Sequence, residues 1–150
     1  MSLSKLWQTD VPPLRDVDTI DSALAAFRET TYQCLPVVDA SGKLLGMFSV
    51  DALLSLLLPK AVTAAGISDL SFLTDGEHHV KQKFDALRNE PVGRYLLQQE
   101  KPVHPDTALM EVLLLMYHGE NEQPVSDPAS GKLMGVVSAS HVLLEITGKE

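Results

Sequence analysis

Apolar residues recur along this chain in two rhythms, and each rhythm occurs twice. Ile20, Leu24 and Phe27 fall at helical spacing behind Asp18 and Thr19, residue types that cap helix N-termini. Leu109, Val112, Leu113 and Met116 repeat the pattern behind Asp106 and Thr107. Each periodic stretch is followed by a short apolar segment, a polar turn and a second apolar segment. In the first case these are residues 35–38, Asp39-Ala40-Ser41-Gly42 and residues 44–48. Such an arrangement predicts a β-hairpin whose glycine supplies the positive φ of the turn. Gly46 and Gly135 fall inside predicted strands, where a missing side chain marks a bulge or a closely approaching group. Leucine-rich helices are predicted over residues 51–58 and 141–146, and a short strand ahead of each first helix, near Leu14 and near Val103.

The two copies are a true internal repeat. Asp18-Thr19 and Asp106-Thr107 lie 88 residues apart, and at the same offset Leu35-Pro36-Val37-Val38-Asp39 meets Gln123-Pro124-Val125-Ser126-Asp127. One inserted residue, Pro128 or Ala129, moves the offset to 89. Gly42-Lys43-Leu44-Leu45-Gly46-Met47-Phe48-Ser49 then overlays Gly131-Lys132-Leu133-Met134-Gly135-Val136-Val137-Ser138. The expected class is α+β, two tandem βαββα units over residues 4–58 and 91–148. Residues 59–90 do not repeat and form a helical insert. There Val80, Phe84 and Leu87 give an i, i+4, i+7 stripe over residues 77–88, a short turn is expected at 69–73, and Pro91 ends the helix. The insert is expected to pack on one edge.

Charge narrows the partners. Twelve Lys and Arg against twenty Asp and Glu give a net charge of −8, which opposes binding to nucleic acid and to an anionic membrane face. The longest near-apolar run, residues 52–58, is far short of the ~20 residues that span a bilayer. No charged and apolar leader opens the chain, so a cytoplasmic protein without membrane insertion is expected. Cys34 is the one cysteine; it has no disulfide partner and no sequence-adjacent activator, and it reads as a small core residue rather than a nucleophile. His78-His79 lacks the third ligand a metal site needs. Lys43 and Lys132, in the hairpin turns, are expected to be exposed, and Trp7 to bury against the second repeat or a second subunit.

With these residues in view, the chain resembles CBS domains in tandem, the pair called a Bateman module. The likeness rests on Leu35 to Ser49, on Gln123 to Ser138 and on Val103-His104-Pro105-Asp106-Thr107. It implies a pseudo-twofold pair with two clefts between the repeats, no catalysis, and regulation of a partner protein. It also implies assembly as a homodimer and an adenosine-containing ligand: AMP, ADP, ATP or S-adenosylmethionine. Ser49 and Ser138, where a strand runs into a helix, would offer a hydroxyl and an anion-attracting helix end. Pro36, Val37, Pro124 and Val125 would face the base, with Gln123 beside them; Arg15 would meet a phosphate and His104 would stand at the cleft edge.

The sequence departs from the family pattern Gly-x-x-Ser/Thr-x-x-Asp, in which the aspartate grips the ribose. Its place is taken by Ala52 in the first copy, next to Asp51, and by His141 in the second. Alanine offers no hydrogen bond, and a lost charged acceptor costs ~1.5–3 kcal/mol per bond. Histidine still bonds a hydroxyl, or a phosphate when protonated. The second copy is therefore expected to be the better site. The alternative is a ligand-free dimerisation module with degenerate clefts.

Overall fold

The computed structural model describes residues 6–9, 11–58, 76–98 and 101–148. Strand β1 (Leu14–Arg15), helix α1 (Ile20–Arg28), strands β2 (Cys34–Val38) and β3 (Leu44–Ser49) and helix α2 (Val50–Leu57) make the first repeat. Helix α3 (Gly76–Leu87) and a 3-10 turn (Val92–Arg94) follow. The second repeat holds α4 (Leu109–Tyr117), β4 (Glu122–Ser126), β5 (Leu133–Ser138) and α5 (Ala139–Thr147). The α+β class read from the sequence is the class that forms. The expected turn at 69–73 lies outside the described residues.

Both hairpins form because the same local chemistry closes their turns. Asp39 Oδ1 accepts from the Ser41 hydroxyl and from the Ser41 and Lys43 N–H groups, while Gly42 takes φ 89°. In the second turn Asp127 accepts from the Ala129 N–H and the Ser130 hydroxyl, and Gly131 takes φ 76°. β2 pairs antiparallel with β3 and β4 with β5, each ladder shifting register by one beside Gly46 or Gly135. β1 runs parallel to β2, and Val103 takes the same place against Val125.

Helix starts follow the sequence in the first repeat and depart from it in the second. The Thr19 hydroxyl accepts from the Ser22 N–H and caps α1 as expected. The N-cap of α4 is Ala108, whose methyl group accepts no hydrogen bond, and not Asp106 or Thr107. Thr107 instead accepts from the His104 N–H, the role that Asp18 plays for the Arg15 N–H. The structural offset here is 89, so the Asp-Thr identity at 88 is out of register by one residue. The loop after α1 is one residue longer than the loop after α4, which returns the offset to 88 for the strands.

The most consequential pairing crosses between the repeats. The Gln8 N–H donates to the Val136 carbonyl (2.7 Å) and the Val136 N–H to the Gln8 carbonyl (2.9 Å). Leu97 makes the same two bonds with Met47, at 2.8 and 3.0 Å. The segment preceding the first repeat thus edges the second sheet, and the segment preceding the second repeat edges the first. Gly46 and Gly135 are glycine because these backbones lie against them: an added Cβ would stand 2.8 Å from the Leu97 oxygen and 2.6 Å from the Gln8 oxygen. At the turns, the Leu44 N–H donates to the Gly131 carbonyl and the Leu133 N–H to the Gly42 carbonyl, joining the two hairpins about a local twofold. Lys43 and Lys132 are exposed there, as expected.

Two cores result. Leu14, Ile20, Leu35, Val37, Phe48 and Leu53 centre the first; Val103, Val112, Val125, Val137 and Val142 centre the second, which also takes Leu6 and packs Trp7 against its side. The insert joins the first core through Leu87, with Phe84 half-buried and Val80 left exposed, and Val92 in the turn that follows is buried in the same core. The Glu90 and Arg88 carbonyls accept from the Ile20 and Asp21 N–H groups, so the chain leaving α3 satisfies donors that the first turn of α1 would otherwise leave free.

Candidate functional site

A cleft of about 570 Å³ opens where three pieces of chain from different parts of the sequence meet. Ser138, Ser140, His141 and Leu144 come from the end of β5 and the start of α5. Gln8, Val11 and Pro12 come from the N-terminal segment, and residues 28–32 from the end of α1 and the loop into β2. Ser138 leaves the sheet with extended backbone and caps α5, its hydroxyl accepting from the His141 N–H at 3.3 Å and lying 3.4 Å from the Ser140 hydroxyl. A polar chain crosses the cleft: the Tyr32 hydroxyl donates to Gln8 Oε1, and Gln8 Nε2 lies 3.4 Å from His141 Nδ1. Arg28 and Glu29 also line it, so the opening offers both signs of charge, hydroxyls and apolar side chains from Val11 and Leu144.

The related position at the other repeat differs in charge. Ser49 caps α2 by accepting from the Ala52 N–H at 2.9 Å, as Ser138 caps α5. The Cys34 thiol nearby is pushed up to about 12, first by burial and then by Glu122, Asp51 and Glu120. Three carboxylates therefore bear on the Cys34 thiol, and the Ala52 side chain contributes no polar atom.

The sequence-derived set is divided by the fold. Ser138 and His141 line the cleft together. Val37 and Val125 are fully buried in the two cores, and Pro36 and Pro124 are buried in the ladders. Gln123 is fully buried; its Nε2 donates to the Glu120 carbonyl while its Oε1 has no partner. His104 Nδ1 bonds the Ser126 carbonyl, and Arg15 pairs with Asp16 at 3.6 Å; neither lines this cleft. Ser49 and Asp51 belong to the other end. Sequence reasoning missed Gln8, Arg28, Thr30, Thr31, Tyr32 and Ser140. A polar, hydroxyl-rich loop between an apolar helix and an apolar strand, residues 28–33, was the available signal; nothing in the sequence pointed to Gln8.

Two small α+β repeats that exchange edge segments and join about a local twofold define a paired-repeat module. Residues 8–59 match the family model of the CBS domain, and the chain has the fold of a CBS domain pair. The CBS domain pair/ACT domain protein of Thermotoga maritima is 20% identical with a TM-score of 0.68, covering 99% of this chain and 98% of that one. CBSX2, solved in complex with AMP, is 19% identical with a TM-score of 0.70 over 98% and 96%. CbpB, solved in complex with c-di-AMP, is 11% identical with a TM-score of 0.69 over 99% and 86%. No curated protein matches the chain. Among the described residues no helix is long and apolar enough to cross a membrane.

Proposed function

We propose that this chain is a regulatory module of the cytoplasm that binds an adenosine-containing ligand in the cleft at the start of α5 and passes the change to a partner protein. Residues 4–58 and 91–148 are its two CBS units, with 59–90 an insert between them. The observation that carries the reading is the cleft itself. It sits where Ser138 and His141, the residues at the family's ligand-contacting positions, face Arg28, Tyr32 and Gln8 across an open volume. The likeness to proteins solved with AMP and with c-di-AMP supports the ligand class, AMP, ADP, ATP or S-adenosylmethionine. The acidic surroundings of Cys34 disfavour a second phosphate-bearing ligand near Ser49. We read the chain as non-catalytic: a thiol pushed up to about 12 is protonated at neutral pH and is no nucleophile.

A second copy of the chain is the assembly partner in this reading. Met110, Leu114 and Tyr117 on α4 and Leu143 and Ile146 on α5 are exposed large apolar side chains. The residues 89 positions earlier on α1 are Asp21, Ala25 and Arg28, and Arg88, just past α3, pairs with Asp21. The same bare face, with Ala52, favours the second reading, a dimerisation module without a ligand.

A thermal-shift panel of AMP, ADP, ATP and S-adenosylmethionine tests the proposal. A ligand at 100 times its Kd adds about 2.7 kcal/mol, a rise of several degrees at ~2–4 °C per kcal/mol for this size. The rise should vanish in the Ser138→Ala/His141→Ala double variant. Silence from every compound, with a dimer in light scattering, would leave the second reading standing.

A further inference from the structure

Gln8 does two things at once. Its main chain holds the N-terminal segment on β5 through the two bonds to Val136, and its side chain reaches Tyr32 and His141 across the cleft. Further along the chain Val11 and Pro12 also line the cleft, with Val11 packed on the first core. Leu6 anchors the segment by complete burial in the second core, and Trp7 lies against Gly135, with its Cδ1 2.7 Å from the place of an added Cβ. An edge held by one bridge and one buried side chain is the kind of element that opens at low free energy. Its counterpart at the first repeat has the same main-chain bonds through Leu97, but a side chain that is half exposed and carries no polar group.

We propose that residues 6–8 are a strap whose seating on the second sheet is coupled to the cleft through the Gln8 side chain. The strap is latched by Tyr32 and His141 when the cleft is empty. The part of the wall that Gln8 forms exists only while the strap is seated, so a ligand that meets it favours the seated state, and by reciprocity a seated strap raises affinity for the ligand. Leu97 lacks the polar latch and is uncoupled. The ligand half of this coupling rests on the function proposed above; the latch half does not.

Amide exchange in the full chain separates the two. In the protein without ligand, Gln8→Ala should speed exchange at the Val136 amide by at least about fivefold, the lower end of couplings between sites, and His141→Ala should speed exchange at Gln8 and Val136. The Leu97 and Met47 amides serve as the internal control and should not change. Equal rates at Val136 in wild type and Gln8→Ala, or equal acceleration at Leu97, would overturn the latch.

With AMP as the probe, exchange at Gln8 and Val136 should slow, and the emission of Trp7, the one tryptophan, should shift. Gln8→Ala should weaken AMP by a similar factor. AMP that raises the melting temperature yet leaves Trp7 emission and both amides unchanged would overturn the coupling and spare the proposed function. AMP that raises nothing would count against the proposed function and against the ligand half, with the latch still decided by the variants without ligand.

Discussion

The Leu97 carbonyl oxygen lies 2.8 Å from where a β-carbon would stand on Gly46. Glycine is required there by contact and not by backbone conformation, since Gly46 has no positive φ. Gly46→Ala and Gly135→Ala should each destabilise by about 1–3 kcal/mol, the usual cost of forcing atoms into a filled space. Gly135 is the tighter of the two, meeting both the Gln8 oxygen and Trp7. Gly42→Ala meets open space and should act only through its φ of 89°, at a cost nearer 1 kcal/mol. Urea midpoints of the three variants give the comparison. A harmless Gly135→Ala would mean that the Gln8 segment does not lie on the second sheet.

Cys34 sets an alkaline limit. Its thiol is raised from 9.0 to about 12 by burial first, then by Glu122, Asp51 and Glu120. A raised value means that the folded state keeps its proton longer than the unfolded one. The associated stability is complete below pH 9 and falls as pH climbs toward 12, by at most about 1.4 kcal/mol per unit. Urea unfolding at pH 8 and at pH 10.5 should show a steeper loss in wild type than in Cys34→Ala. A thiol reagent at pH 8 should react slowly until urea is added.

The turn aspartates set an acid one. Asp39 is held below the usual carboxylate range chiefly by the Ser41 hydroxyl and then by the Lys43 N–H. Asp127 is held there chiefly by the Ala129 N–H and then by the Ser130 hydroxyl. Depressed values place the stabilisation above about pH 3.8, and it disappears as pH falls through the lower folded value. Asp39→Ala/Asp127→Ala should therefore melt below wild type at pH 7, with the gap narrowing under pH 4. Both carboxylates are exposed to solvent, so a gap that does not depend on pH would locate their role outside the ionised form.

Gln123 and Leu35 hold matching places in the two ladders, and both are fully buried. The glutamine keeps one orphaned oxygen in the core, while its amide nitrogen serves the Glu120 carbonyl. Gln123→Leu should lie between neutral and about 1 kcal/mol more stable, because removing a buried orphan offsets the lost bond. A urea midpoint that drops sharply would show the Glu120 contact to be the larger effect. Any accompanying loss of an AMP-induced shift would return Gln123 to the ligand set.

What could be read from the sequence was what local chemistry decides. Periodicity placed α1, α4 and the insert helix, and polar turns running from an aspartate to a glycine placed both hairpins. The glycines at 46 and 135 announced a close neighbour without saying which. The neighbour is a single bridge from a segment more than 120 residues distant in one case, and no apolar pattern encodes so short a pairing. A shared Asp-Thr pair misled in the second repeat, because hydrogen bonding aligns Thr107 with Asp18 and leaves Ala108 to open the helix. In the cleft, Ser138 was legible from its place between a strand and a helix, and His141 only from the resemblance, as the residue standing where the family pattern has its aspartate. Tyr32, Arg28 and Gln8 reach it only through the fold.

The exchange of edge segments also bears on dissection. A half-molecule ending near residue 58 would keep Leu6 and Trp7 but lose the sheet they cover, and its own β3 would face water where Leu97 belongs. Such a half could bury these surfaces only by trading segments with another half. Cutting between the repeats would not release two modules; it would convert an intramolecular closure into a concentration-dependent one.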